Sequence, residues 1–148
     1  MSETPSPCVY TSMLFIIVAI IAFRNNYNIY GLLWIQLCIT SILYHGKIYT
    51  KSNKEFITYY DRLSAYLVVL YGGYLLFDKI YDHKFEWNLQ TQIITAIIII
   101  SFLLTIILYH YGFQTSSYCF DDNKNIANIY HIIMHLLSII GHILIILL

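Results

Sequence analysis

Five stretches of this chain are too apolar and too long to sit anywhere but in a core or in lipid, and only polar connectors separate them. They run over about 9–23, 29–45, 56–77, 91–111 and 126–148. The fourth is the clearest, with an uninterrupted centre of Ala96-Ile97-Ile98-Ile99-Ile100. Runs this rich in β-branched residues suggest strands in water. Here they lack alternation and turn signals, and in a bilayer a helix satisfies its backbone polar groups within its own segment. The expectation is therefore an all-α integral membrane protein, a bundle of about five transmembrane helices forming one domain over residues 1–148. The first two segments are at the short end of the roughly 17 to 25 residues that span hydrocarbon, which suits a thin internal membrane such as the endoplasmic reticulum.

Composition removes several functions. Acidic and basic residues cancel, eight against eight, so no basic face exists to hold nucleic acid. Cys8, Cys38 and Cys119 are scattered without Cys-x-x-Cys spacing and read as thiols rather than a disulfide framework or zinc knuckle. No Lys or Arg precedes the first apolar run, and no clear small-residue cleavage site follows it. That run is expected to be a retained helix, not a signal peptide.

With five crossings, the polar residues inside the apolar segments fall at one level. Ser41 and His45 end the second helix, Asp61 lies in the first turns of the third, and His131 and His135 lie in the first turns of the fifth, all toward the side that holds the N-terminus. The balance of Lys47, Lys51, Lys54, Arg62 and Lys124 against Arg24, Lys79 and Lys84 turns that side toward the cytoplasm. Ionisable groups at membrane depth are costly, so a set of them at one level is a functional-site hypothesis.

The spacing names a chemistry. His131 and His135 are one helical turn apart on one face, as are Ser41 and His45. His45, His131 and His135 would supply three nitrogen ligands and leave a fourth position open, the pattern of a catalytic zinc. Asp61 is then placed to take a proton from the bound water, and Ser41 to orient a ligand or the substrate carbonyl. Each residue has an ordinary reading as well. Asp61 could pair with Arg62 at a helix start, Ser41 could link helices, His45 could cap its helix, and the late pair could be a hydrogen-bonded interior pair. His142, two turns beyond His135, could line a substrate cavity or bond a neighbouring helix. His110, ending the fourth segment on the same side, reads as an interfacial residue that could approach the site.

The segments Ser41-Ile42-Leu43-Tyr44-His45, Tyr60-Asp61-Arg62-Leu63-Ser64-Ala65-Tyr66 and His131-Ile132-Ile133-Met134-His135 resemble the S-x-x-x-H, Asp and H-x-x-x-H signatures of the superfamily of alkaline ceramidases, progestin and adiponectin receptors and hemolysin III-like proteins. The Ser-x-x-Tyr-His form and the stretch His135 to His142 look most like the hemolysin III and receptor branch. The resemblance covers the second, third and last helices. It implies a Zn2+ ion held by His45, His131 and His135, Asp61 and Ser41 around its water, and hydrolysis of a lipid amide such as ceramide. It also implies a seven-helix fold, two helices more than this chain shows, the difference falling between the third and last. A homodimer is the expected means of covering a flank left open by that difference.

Three functions compete. The first is a zinc-dependent membrane hydrolase acting on a lipid amide. The second is a non-enzymatic lipid-responsive receptor or membrane-stress protein in which the same zinc only ties helices together. A b-type cytochrome is the third, but it leaves Ser41 and Asp61 without a role, and two histidines one turn apart on one helix cannot take opposite axial positions of a haem.

Overall fold

The computed structural model describes residues 5–81 and 87–148; Lys84 of the charge balance lies outside them. Among the described residues all regular structure is helical. Five helices follow one another: α1 (Cys8–Arg24), α2 (Asn28–His45), α3 (Lys54–Tyr81), α4 (Leu89–Thr115) and α5 (Lys124–Leu147). Each of the five apolar segments has thus become a helix. α3, α4 and α5 are long and apolar enough to cross a membrane, which marks the chain as a membrane protein, and α1 is a shorter apolar helix.

The ends of the helices follow local chemistry. Asn88 and Asn123 stand at the starts of α4 and α5, each accepting a backbone N–H of the first turn through its side-chain oxygen, from Thr91 and Asn125 respectively, both at 3.0 Å. Asn26 turns the chain between α1 and α2 with a φ of 64°, a left-handed conformation that asparagine tolerates better than most residues. α1 is interrupted at Leu14, between Cys8–Met13 and Phe15–Arg24. α4 contains a π-helical turn, Ile107–Tyr111, before it finishes as Gly112–Thr115.

The chain divides into two compact units, Met1–Asp78 and Lys79–Leu148. In the first, α1 lies against α2. Phe15, Val18, Ala19 and Ala22 are buried, as are Tyr30, Gly31 and Trp34 of α2. Phe15 tilts onto Trp34 with ring centroids 5.3 Å apart. A Cβ at Gly31 would stand 2.8 Å from the Phe23 ring, so a side chain there would have to displace that ring. α2 is tied to α3 by Tyr30 against Tyr71 at 5.4 Å and by a hydrogen bond from Gln36 Nε2 to Ser64 Oγ at 3.0 Å. A side-chain bond of that kind holds helices together in lipid, where apolar burial gives no net preference for protein over hydrocarbon.

In the second unit α4 lies against α5. Gly141 lets α5 approach α4 closely, since a Cβ at that position would meet the Cβ of Ser101 at 3.2 Å. The next residue, His142, packs its ring on Phe102 at 4.8 Å. The connection from α4 to α5 folds back as a 3-10 turn, Tyr118–Phe120, which sets Phe120 against Tyr109 and Phe113 and sets Tyr118 against Tyr130. Cys119 is buried between them and donates to Met134 Sδ at 3.9 Å.

Candidate metal centre

The last two turns of α2 carry the first half of the centre. Thr40, Ser41 and His45 are all buried there, and the helix ends at His45 itself. Its open carbonyls are closed locally: Gly46 N–H donates to the Ile42 carbonyl, Ile48 N–H to Leu43, and the segment before α1 supplies Ser6 N–H to the His45 carbonyl at 2.9 Å. His45 is thereby fixed at its backbone. Its ring lies edge-on to Tyr44 at 4.9 Å.

Ser41 and Asp61 are each held by a hydroxyl from another position. Ser12 Oγ lies 2.9 Å from the Cys8 carbonyl and 3.0 Å from Ser41 Oγ, so its single proton is shared between the two and Ser41 is held in a hydroxyl–hydroxyl hydrogen bond. The Thr40 hydroxyl shares its one proton between the Leu37 carbonyl and Asp61 Oδ1, each 3.2 Å from Oγ1. Asp61 is half-buried and Arg62 is exposed. Thr40 binds the Asp61 carboxylate, the role the sequence left open for Arg62. Neither Thr40 nor Ser12 stood out in the sequence. The one signal available was position: Thr40 is next to Ser41, and Ser12 is a polar residue within an apolar run.

α5 carries the second half. His131 and His135 face one another with ring centroids 4.8 Å apart at 88°, an edge-to-face arrangement, with His135 buried and His131 half-buried. One ring nitrogen from each of His45, His131 and His135 lies within 4.8 Å of the others, a group able to hold a metal ion. Tetrahedral zinc with nitrogens at about 2.0–2.1 Å holds them about 3.4 Å from one another, closer than the 4.8 Å limit of this group. The donor chemistry agrees, since three neutral imidazoles are the ligand set of many open zinc sites. The residues therefore fit the ion that their spacing implies.

The other candidates fall elsewhere. Asp61 and Ser41 are not members of the nitrogen group, and the contacts that fix them are the local ones just given. His142 is fully buried against Phe102, deep in the interface of α4 with α5. His110 sits in the π-helical turn, exposed, with its ring edge-on to Tyr109 at 5.3 Å.

Comparison of the chain with protein-family models, with curated proteins and with solved structures finds no match.

Proposed function

We propose that this protein is a multi-pass, zinc-dependent membrane hydrolase that cleaves a lipid amide of ceramide type. The observation that carries the reading is the group of three imidazole nitrogens from His45, His131 and His135 within 4.8 Å of one another. The resemblance of the surrounding motifs to alkaline ceramidases and their receptor-like and hemolysin III-like relatives supports the same conclusion.

Zinc bound there would acidify a water and polarise an amide carbonyl. The remaining work belongs to the chain. Asp61 is the general base: Thr40 occupies Oδ1, which leaves Oδ2 to accept a proton. Thr40 thus fixes the plane of the carboxylate and the direction of the oxygen that acts. Ser12 holds the Ser41 hydroxyl in place, and that hydroxyl is the group offered to a substrate carbonyl or a head-group oxygen. Amide cleavage needs a proton delivered to the departing amine, and Asp61, once protonated, carries it. The substrate is an amide with long apolar tails because α3 and α5, which carry Asp61 and the late histidine pair, are themselves apolar enough to lie in lipid.

The test is elemental analysis joined to a turnover assay. Purified wild type is expected to hold about one zinc per chain and to release fatty acid from a long-chain ceramide in mixed micelles. Asp61→Asn should keep the metal and lose hydrolysis. Zinc retained by both proteins with no hydrolysis of any amide lipid by the wild type would leave the metal with a structural role, as a lipid-responsive receptor needs; no zinc in folded, zinc-supplied wild type would end the metal reading itself.

A further inference from the structure

Three consecutive residues of the connection from α4 to α5 bridge the two helices. A 3-10 turn spaces successive side chains about 120° apart, so Tyr118, Cys119 and Phe120 leave it in three directions. Phe120 goes to α4, where its ring meets those of Tyr109 at 5.3 Å and Phe113 at 5.2 Å. Tyr118 and Cys119 go to α5. The Tyr118 ring stands edge-on to Tyr130 at 5.1 Å, and the Cys119 thiol donates to Met134 Sδ at 3.9 Å. Tyr130 and Met134 are one helical turn apart, and each directly precedes a histidine of the metal centre, His131 and His135. The gripped stripe and the histidine stripe therefore run side by side along α5, about 100° apart around its axis.

The backbone of the turn leaves its ordinary range to make these contacts. Tyr118 has a φ of 54°, a left-handed conformation that glycine adopts freely and a bulky aromatic residue rarely does. Such a conformation persists only where the surroundings fix it, and it gathers at functional sites. Gly112 lets the chain return so closely. Ser117 N–H donates to the Gly112 carbonyl at 3.0 Å, and a Cβ on Gly112 would stand 2.7 Å from the Ser117 carbonyl oxygen. The φ of Gly112 is −58°, ordinary for a helix, so the missing side chain serves the turn and not the helix.

Rotation of α5 is what this grip controls. Cα atoms lie about 2.3 Å from a helix axis and the outer ring nitrogen of a histidine roughly 6–7 Å out, so turning the helix by about 20° carries that nitrogen through about 2 Å, the length of a zinc–nitrogen bond. In lipid, apolar burial does not set helix rotation, and specific contacts with neighbouring segments must. The imidazoles adjust about their own side-chain bonds, but only from a backbone that already faces the ion. We propose that the α4–α5 turn is a positioning element of the metal centre, in which Tyr118 and Cys119, through Tyr130 and Met134, fix the rotation that aims His131 and His135. The inference rests on the centre proposed above and names what holds its α5 half.

Titration of the purified full chain with zinc, and the visible spectrum of cobalt bound in its place, test this. Gly112→Ala suits the helix and displaces the turn, and it should weaken zinc binding about ten- to hundredfold, the range of changes just outside a ligand shell, and alter the cobalt bands. Tyr118→Gly removes the ring while suiting the left-handed backbone, and it should act in the same direction. Tyr118→Phe keeps the ring and should match wild type. Gly141→Ala is the control, since it adds a methyl between the same two helices away from the turn, 3.2 Å from Ser101, and should leave affinity and spectrum unchanged. Helical Gly112→Ala and Tyr118→Gly proteins with wild-type affinity and spectrum would overturn the positioning role while leaving the centre standing. So would a loss in Gly141→Ala as large as theirs, or a loss in Tyr118→Phe equal to that in Tyr118→Gly. A folded wild type that binds neither metal would end the reading of the centre itself, and this proposal with it.

Discussion

The end of α2 and the beginning of α5 each present two polar residues one turn apart on an apolar helix, yet they are built in opposite ways. Ser41 and His45 sit in a web of fixed contacts. Ser12 reaches Ser41, Thr40 reaches Asp61, and Ser6 closes the carbonyl of His45. His131 and His135 have each other, edge to face, with sulfur and aromatic side chains of the 3-10 turn packed on the same helix at Met134 and Tyr130. The contacts described in one region are hydrogen bonds between side chains, and in the other they are ring and sulfur contacts. The difference assigns labour: the α2 region can hold a carboxylate and a hydroxyl in set orientations, and the α5 pair can adjust its rings to an ion.

The sharpest way to break that division is to remove a nitrogen from the adaptable side. His135→Ala should abolish zinc binding, with a loss of affinity beyond the ten- to hundredfold that outer-shell changes cost, read by elemental analysis and competition with a chelator. Retention of stoichiometric zinc by this variant would show that the pair is packing only. Next in size is Asp61→Asn, which removes the base and leaves the ligands. Turnover should fall by about 10²–10⁴ while zinc content stays at the wild-type level.

How far the sequence itself disclosed this arrangement differs between the same two regions. Five helices and the pairing of His131 with His135 were legible, because apolar length and one-turn spacing are properties of contiguous sequence. Grouping His45 with them rested on an expected count of five crossings, which no single stretch of sequence carries. Thr40 and Ser12 were not legible. A threonine in a membrane helix ordinarily returns its hydroxyl to a carbonyl in the preceding turn, and Thr40 does this to Leu37 as well as reaching Asp61. Nothing in the spacing of α2 and α3 says which side chain meets Asp61, since that depends on helix rotation. Arg62, adjacent in sequence, was the natural guess for the same reason that Thr40 was hidden. The π-helical turn at Ile107–Tyr111 had no sequence signal that periodicity could detect.

Thr40→Val sharpens the comparison at intermediate size, because it keeps shape and burial while deleting the donor to Asp61 Oδ1. A hydrogen bond to a charged group contributes about 1.5–3 kcal/mol, so turnover should fall roughly ten- to hundredfold with zinc content unchanged, and Thr40→Ser should restore most of it. If Thr40→Val also released zinc, orientation of Asp61 and retention of the metal would be one function, and the separation between a directional α2 region and an adaptable α5 pair would fail.

The smallest effect separates His142 from the histidines before it. His142 lies two turns beyond His135 and is buried against Phe102, deep in the packing of α4 on α5. In that setting the imidazole ring packs tilted against the Phe102 ring, a contact that another aromatic ring can make. Exchange for another flat ring is therefore expected to cost little: His142→Phe should keep about one zinc per chain and shift thermal unfolding by an amount typical of a volume-conserving core swap, under about 1.5 kcal/mol. His142→Ala should cost more, because the Phe102 ring then faces a cavity, and still keep the zinc. A loss of metal in the phenylalanine variant would bring His142 into the same functional group as His131 and His135, and the packing-positioned region would extend two turns further into the membrane than the edge-to-face pair.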